Sequence, residues 1–491
     1  MPTAPLTLGI DVGTTGVKGV ALDVAGGIVA QASRSSTLSS PHPGWAEASP
    51  AEWRDSVLAV VGELAGHARS AGRVVAGIAT TGMVPAVVAV DARGRALRPA
   101  ILQNDARASA EVRELADLLA GSGVLESTGS PVTQQSVAPT ALWLRRNEPE
   151  LWTSTAALVG SYDWVLSALG APLHVERNWA IESGLFELDG RPFVPAVTVA
   201  GLEDRLVPVA SPGERVGELS PEVASAVGLP AGIPLVAGGA DHVLSAYGAG
   251  LAREGDWLVK LGGAGDILAV SARPVVDRRF YLDVHPMPGL WVPNGCMATS
   301  GSLVRWVQSL LREGDLRALD GEAAARDAAP LLCLPYFLGE KSPVNDPGLR
   351  GVFAGLHLGH DRYDLYRAAL EGIAFGFRHN RDELRAAGLR LSSATITNGG
   401  ATSALWKQIH ASVLGVPLRT VQQHPGASLG AAVAAAIGTG ALPGWSSVDA
   451  FVTPGETIEP DASAGRYDEA YALWRELADV TGATMRAFAR L

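Results

Sequence analysis

One layout occurs twice in this chain, and it constrains the fold more than any other feature. Residues 6–10 and 17–22 read as extended runs joined by the turn Gly13-Thr14-Thr15-Gly16. Residues 257–261 and 267–270 read as a second pair, joined by Gly262-Gly263-Ala264-Gly265. Glycine is the default residue of tight turns, so similarity by chance is one explanation. The shared spacing nevertheless predicts a duplicated fold, with one domain over residues 1–250 and another over 251–491. Between the repeats, residues 52–69 carry apolar side chains at helical spacing, 75–80 and 86–90 are extended, and 109–119 is helical. A further strand at 235–237 ends in Gly238-Gly239-Ala240-Asp241 and leads into a helical stretch through residue 252. This alternation predicts an α/β architecture. No Ser/Gly/Pro linker separates the halves, so they are expected to share a cleft and to move about a hinge.

With 491 residues the chain has length for two to four domains and sizeable cores. Its 47 % hydrophobic and 18 % charged residues exclude intrinsic disorder. Lys plus Arg number 39 against 50 Asp plus Glu, a net charge of −11 that repels a polyanion, so no nucleic-acid partner is expected. Cys296 and Cys333 lack Cys or His neighbours at zinc-ligand spacing and read as reduced thiols. Residues 1–7 show no signal-peptide pattern, and the apolar run 429–437 is far short of the roughly 20 residues that span a bilayer. A soluble cytoplasmic protein without a membrane partner is therefore expected. Residues 466–490 read as a helix with Tyr467, Tyr471, Trp474, Ala478, Met485 and Phe488 on one side. That stripe can pack on its own domain or against another chain, as in a homodimer.

Asp11 ends an apolar strand and precedes Val12-Gly13-Thr14-Thr15-Gly16-Val17-Lys18. Such a turn can aim backbone N–H groups, two hydroxyls and an ammonium at a phosphate while the carboxylate faces a metal ion. An ordinary hairpin with Asp as turn-former is the bland alternative. The spacing matches neither the P-loop nor the dinucleotide fingerprint. Asp241 sits where a helix begins, so it is either an N-cap or a strand-end carboxylate able to take a proton or hold Mg²⁺. Two such carboxylates suit phosphoryl transfer. A third cluster, Asn398-Gly399-Gly400-Ala401-Thr402-Ser403, precedes a helix at 404–414 and suits close approach of a nucleotide, or is simple turn chemistry. Gly426-Ala427-Ser428-Leu429-Gly430 matches the hydrolase nucleophile elbow in spelling, but residues 422–425 separate Ser428 from the preceding strand, so a loop and helix start is expected.

Taken in order, Asp11 with Gly13-Thr14-Thr15-Gly16, Gly238-Gly239-Ala240-Asp241, Leu261-Gly262-Gly263-Ala264-Gly265 and Gly399-Gly400-Ala401-Thr402-Ser403 resemble the motifs of FGGY carbohydrate kinases. Also similar are Leu334-Pro335-Tyr336-Phe337, Gly339-Glu340-Lys341-Ser342-Pro343, Glu371-Gly372-Ile373-Ala374-Phe375 and Trp406-Lys407-Gln408 with Gly415-Val416-Pro417, so the match covers essentially the whole chain. The resemblance implies two ribonuclease-H-like domains of the actin and hexokinase type around a central cleft. It implies transfer of the ATP γ-phosphoryl group to a sugar or polyol hydroxyl, with ATP and Mg²⁺ as cofactors.

Carried over by resemblance, Asp241 is the general base and a metal holder, and Asp11 reaches the metal through water. Thr14, Thr15 and Lys18 face the phosphates, Gly262, Gly263 and Gly265 form a second phosphate turn, and Gly399, Gly400, Ala401 and Ser403 lie beside the adenosine. Within the family the chain is similar above all to xylulokinases, whose Gly-Gln-Met-His substrate motif falls on Thr81-Gly82-Met83-Val84. Met83 is retained and Val84 replaces the histidine, which bears on which hydroxyl is recognised. Asp105 and Arg107 resemble the Asp-x-Arg element that borders the sugar. His242 follows the base where relatives often have Asn or Gln, and Gly263-Ala264 replaces a Thr-Ser pair. D-xylulose is the expected substrate, with ribulose, erythritol or glycerol as alternatives, and a sugar-binding regulatory protein on a kinase scaffold as a different class.

Overall fold

The computed structural model describes residues 5–329 and 331–490. In the first half, β1 (Leu6–Gly13), β2 (Gly16–Asp23) and β3 (Gly27–Ser35) form an antiparallel meander. β4 (Val75–Gly82) runs parallel to β1, then come β5 (Arg215–Glu218) at the edge and β6 (Pro234–Ala240) parallel to β4, in the order β5-β6-β4-β1-β2-β3. The second half holds β7 (Asp256–Leu261), β8 (Gly265–Ala269), β9 (Tyr281–Val284), β10 (Trp291–Met297), β11 (Ser393–Thr397), β12 (Leu418–Gln422) and β13 (Thr453–Ile458). Their order is β9-β10-β8-β7-β11-β12-β13. The run β10-β8-β7-β11-β12 repeats β3-β2-β1-β4-β6 in order and direction, two antiparallel pairings followed by two parallel ones. The α/β fold with two sheet-based domains expected from the repeated hairpins is thus present.

Side-chain alternation along β1 explains how its sheet is covered. Leu6, Leu8, Ile10 and Val12 are fully buried in one cluster with Val57, Val60, Val61 and Leu64 of α1 (Pro50–Ser70). Ser49 caps that helix by accepting from the Glu52 amide, and Pro50 takes the first turn, where a missing N–H costs nothing. The residues of opposite parity, Thr7, Gly9 and Asp11, lie on the other face. Two of them meet a helix from the second half of the chain, named α5 below.

The remaining helices used here are α2 (Asp241–Gly248), α3 (Arg362–Ala386), α4 (Ala404–Leu414), α5 (Ala427–Gly438) and α6 (Ala464–Phe488). α2 stops four residues short of the expected 252, with Gly250 at φ 92 breaking off the helix. α5 lies across β1, β4 and β6 and packs its alanines with Val20, Leu22, Ala79 and Val236 in a single cluster. Thr7 Oγ1 donates to the Ala432 carbonyl at 2.9 Å, and a Cβ on Gly9 would collide with the Ser428 carbonyl and the Ala432 amide. A segment of the second half therefore completes the first sheet. α6 packs on its own half: Trp474 Nε1 donates to the Cys333 carbonyl at 2.8 Å and Tyr467 Oη to Glu371 Oε1 at 2.8 Å. Tyr467, Tyr471, Trp474 and Met485 are buried, whereas Phe488, expected in the same stripe, lies in the last turn and is 66 % exposed. Cys296 and Cys333 are free thiols, and no described helix is long and apolar enough to cross a membrane.

Because Gly9 sits where strand and helix backbones touch, Gly9→Val should lower the midpoint of urea unfolding. The expected loss is about 3 kcal/mol, the upper end for overpacking a core. An unchanged midpoint would mean that α5 does not rest on β1.

Candidate active site

Three parallel strands of the first sheet end at one level. Val12 of β1 is in register with Gly82 of β4, and Gly82 with Ala240 of β6. Gly13, Met83 and Asp241 therefore leave the sheet side by side, at the carboxyl ends of strands where α/β folds place ligands. A cleft of about 940 Å³ opens there. Asp11, Lys18, Asp241 and Ser245 line it from the first half of the chain, and Lys260, Gly399, Ala401, Thr402 and the segment 424–428 from the second.

The two carboxylates are electrostatically coupled, and their environments push them apart. Burial, and then repulsion by Asp241, pushes the Asp11 carboxyl up to about 7 against the pull of Lys18 and Lys260. Its Oδ1 is buried with no hydrogen-bond partner among the described residues. Asp241 is the first residue of α2, with Ala240 at the cap position, so Asp241 is not the helix N-cap. Burial opposes its charge, but a hydrogen bond from His242 and the nearby Lys260 outweigh burial and hold it below the usual carboxylate range. His242 Nδ1 lies 3.5 Å from Asp241 Oδ1, and its Nε2 lies 2.8 Å from Asp283 Oδ2 and 4.0 Å from Glu182 Oε1. Asp283 is fully buried on β9 and also accepts from Asn294 Nδ2 at 2.6 Å. Desolvation works against the imidazolium, but these carboxylates raise His242 well above its ordinary value.

In the second half, Lys260 of β7 pairs across the hairpin with Asp266 of β8, Nζ to Oδ2 3.2 Å. The Gly262–Gly265 turn is held from below: the Gly263 carbonyl accepts from the Ser300 and Ser302 amides at 2.9 and 3.0 Å, and the Gly262 carbonyl from the Gly301 amide at 2.8 Å. A Cβ on Gly265 would come within 2.7 Å of Phe377, so this glycine serves packing on α3. Gly399, Ala401 and Thr402 face the cleft, with Asn398 at φ 72 reversing the chain. Gly400 is instead pressed against Trp406 and Leu261, and Ser403 caps α4 by accepting from the Trp406 amide at 3.0 Å. Thr14 and Thr15 form the tip of the first hairpin, where the Thr15 carbonyl accepts from the Ser36 amide at 3.1 Å.

On the expected sugar side, Met83 and Val84 are buried, with the Met83 amide donating to the Val12 carbonyl at 3.3 Å and Ser161 Oγ to the Met83 carbonyl at 3.1 Å. Asp105 and Arg107 point at each other rather than into the cleft. Arg107 Nε and Nη2 donate to the two Asp105 oxygens at 2.8 and 2.7 Å, Nη2 also reaches Glu47 at 2.7 Å, and both side chains are 1 % exposed. The guanidinium carbon lies 3.7 Å from the Trp45 ring centroid. Ser428 is buried in the first turn of α5 with Oγ donating to the Pro425 carbonyl at 3.1 Å, and His424 Nε2 lies 3.2 Å from Ser245 Oγ, so no nucleophile elbow forms. Sequence reasoning passed over Lys260, Asp266, Glu182 and Asp283. The first two adjoin a glycine turn as Lys18 does, a signal that was available; the other two reach the site only through tertiary contacts.

Comparison with known proteins agrees with this geometry. Residues 6–248 match the N-terminal domain of the FGGY family of carbohydrate kinases, and residues 265–439 its C-terminal domain. The chain is 30 % identical over 440 residues to the xylulose kinase of Escherichia coli, covering 87 % of this chain and 88 % of that one. With the xylulose kinase of Staphylococcus epidermidis it shares 29 % over 484 residues, 96 % of each. A crystal structure of xylulose kinase from Rhodospirillum rubrum superposes with a TM-score of 0.91 at 41 % identity, covering 98 % of this chain and 99 % of that one. The chain belongs to the FGGY family of carbohydrate kinases, and it is a sugar kinase with the nucleotide-binding function of that family.

Proposed function

We propose that this kinase transfers the γ-phosphoryl group of Mg·ATP to a hydroxyl of a ketopentose, with D-xylulose as substrate and D-xylulose 5-phosphate and ADP as products. The observation that carries the reading is Asp241: a carboxylate held ionised and 34 % exposed, at the strand-end rim beside Asp11. Such a group can accept the proton of the attacking hydroxyl as the oxygen moves toward phosphorus, and the proton then rests on the Asp241 carboxyl. The named function of the similar xylulose kinases supports the choice of sugar.

The unpartnered, buried Asp11 Oδ1 and the neighbouring Asp241 suit a hard cation, and these two carboxylates would hold Mg²⁺. When bound, the ion neutralises charge on the phosphoryl oxygens. Lys18 and the N–H groups of the Thr14-Thr15 turn would receive phosphate oxygens, as would the turn formed by Gly262, Gly263 and Gly265. The surface of Gly399 and Ala401, with Gly400 and Ser403 shaping it from behind, would receive the adenosine. Met83 and Val84 would border the sugar, and the Asp105–Arg107 pair would brace that border from beneath. A second reading, a different pentulose or a polyol, is favoured by one observation: Val84 is a buried side chain without a hydrogen-bonding group at the rim. A site lacking a polar partner for one hydroxyl discriminates sugars differently from one that has it.

ADP release with Mg·ATP across D-xylulose, D-ribulose, L-xylulose, L-ribulose, erythritol, xylitol and glycerol tests the substrate. D-xylulose should give the highest kcat/KM, and a larger value for another compound would replace it. Asp241→Asn should lower kcat by at least about a thousandfold, with thermal unfolding unchanged, and residual activity within tenfold of the parent would assign the base elsewhere. Asp11 adds a pH signature in the protein without Mg²⁺. Its pKa is raised from 3.8 to about 7, so the folded state holds the extra proton and its stability falls as pH rises through that window. Asp11→Asn removes this loss. The variant should be more stable than the parent at pH 8, with the difference shrinking toward pH 4 and also on adding millimolar Mg²⁺; equal stability across the range would show that Asp11 ionises freely.

A further inference from the structure

Each of the two repeated hairpins presents one ammonium and one carboxylate, but with the charges exchanged between strands. In the first, Asp11 on the leading strand faces Lys18 on the returning strand; in the second, Lys260 leads and Asp266 returns. Lys18 is exposed, whereas Lys260 is only 22 % exposed and lines the cleft. The turn that follows Lys260 carries no hydroxyl, since its members are Gly262, Gly263, Ala264 and Gly265. Its carbonyls at Gly262 and Gly263 are occupied by amides of residues 300–302, which fixes the turn beside the ammonium.

We propose that Lys260 is the cation that binds the polyphosphate of ATP at the second glycine turn, replacing with charge what the turn lacks in hydroxyl groups. The inference rests on the kinase reading above and adds a residue to it. Asp11, Asp241 and Asp266 place three carboxylates near the same cleft, so a nucleotide polyphosphate entering there meets a field that repels it unless ammonium groups offset it. Lys260 is within electrostatic reach of all three. Burial works against its charge, but Asp266 and then Asp241 outweigh burial and keep it protonated. Among the described residues Asp266 is the ion-pair partner of the ammonium, at 3.2 Å, which leaves N–H groups for phosphate oxygens. The rival cation is Arg305, which is exposed and whose Nη2 would come within 3.3 Å of a Cβ on Gly263.

Calorimetric titration with ATP, ADP and adenosine in the presence of Mg²⁺ tests the assignment without requiring turnover. Lys260→Met should weaken ATP at least tenfold and leave adenosine within twofold, because adenosine has no phosphate to lose. Lys260→Gln, which keeps a polar head, should do the same, while Lys260→Arg should stay within threefold of the parent for ATP. Equal weakening of ATP and adenosine would make Lys260 a structural residue, and unchanged ATP affinity, or a loss confined to Arg305→Met, would also overturn the proposal. Turnover with the sugar panel reports the kinase reading separately. A protein silent with every sugar but showing the selective ATP loss would keep Lys260 in this role and remove the substrate assignment.

Discussion

The cleft depends on a contact in which backbone lies against backbone. Where α5 crosses β1, Gly9 presents no side chain to Ser428 and Ala432, and on the helix itself Gly430 lies 2.5 Å, measured from a hypothetical Cβ, from the Leu244 carbonyl of α2. The alanines between them bring a helix of the second half flush onto the first sheet. This places residues 426–428 at the mouth of the cleft as a fixture of the first layer, while the Gly399–Thr402 turn belongs to the second sheet. Any hinge motion between the sheets therefore changes the spacing between these two glycine segments rather than moving them together.

The second constraint is electrostatic. Strands in register bring Asp11 and Asp241 to one rim, and two like charges on a partly desolvated surface do not ionise with equal ease. The balance is decided by neighbours: His242 and Lys260 favour charge on Asp241, and Asp11 absorbs the cost. His242 is itself held by Asp283 of the second sheet and by Glu182. Asn178 ties the same edge, its Nδ2 donating to the Val284 carbonyl at 3.1 Å and its Oδ1 accepting from the Val284 amide at 2.6 Å. The ionisation of a carboxylate on one domain is thus set in part by a buried aspartate on the other.

Much of this was legible in the sequence because it is local. The repeated hairpins announce themselves through glycine spacing, Asp11 and Asp241 through their position after apolar runs, and the α/β class through alternating periods. What stayed hidden is non-local. The composition of 427–438 says that the helix is buried but not which sheet it covers. The nucleophile-elbow spelling at Ser428, by contrast, is already discounted by the residues that separate it from the preceding strand, and the structure places that serine second in α5, behind the Gly426 cap. Phe488 shares the helical stripe but lies beyond the reach of the core. Gly400, Gly265 and Ser403 sit in motifs that read as ligand-facing, yet their neighbours are Trp406, Phe377 and the first turn of α4.

Asp105 and Arg107 carry this lesson furthest. Their short spacing reads as a polar element bordering a sugar, but the partners that decide its character, Glu47 and Trp45, lie some sixty positions earlier. Arg107 is bidentate to Asp105, reaches Glu47 and stacks on an indole, and the Ala46 amide donates to Asp105 Oδ2 at 2.6 Å. Arg98 reaches the same Glu47 oxygen at 2.5 Å. Two arginines thus face two carboxylates in a nearly dry setting, where an ion pair contributes geometry more reliably than net stability. The geometry it fixes is that of the 45–47 segment against 105–107. On the site assignment proposed above, a rim built this way would act on a bound sugar through the shape it imposes, and would leave hydrogen bonding to groups that are not already spent on one another.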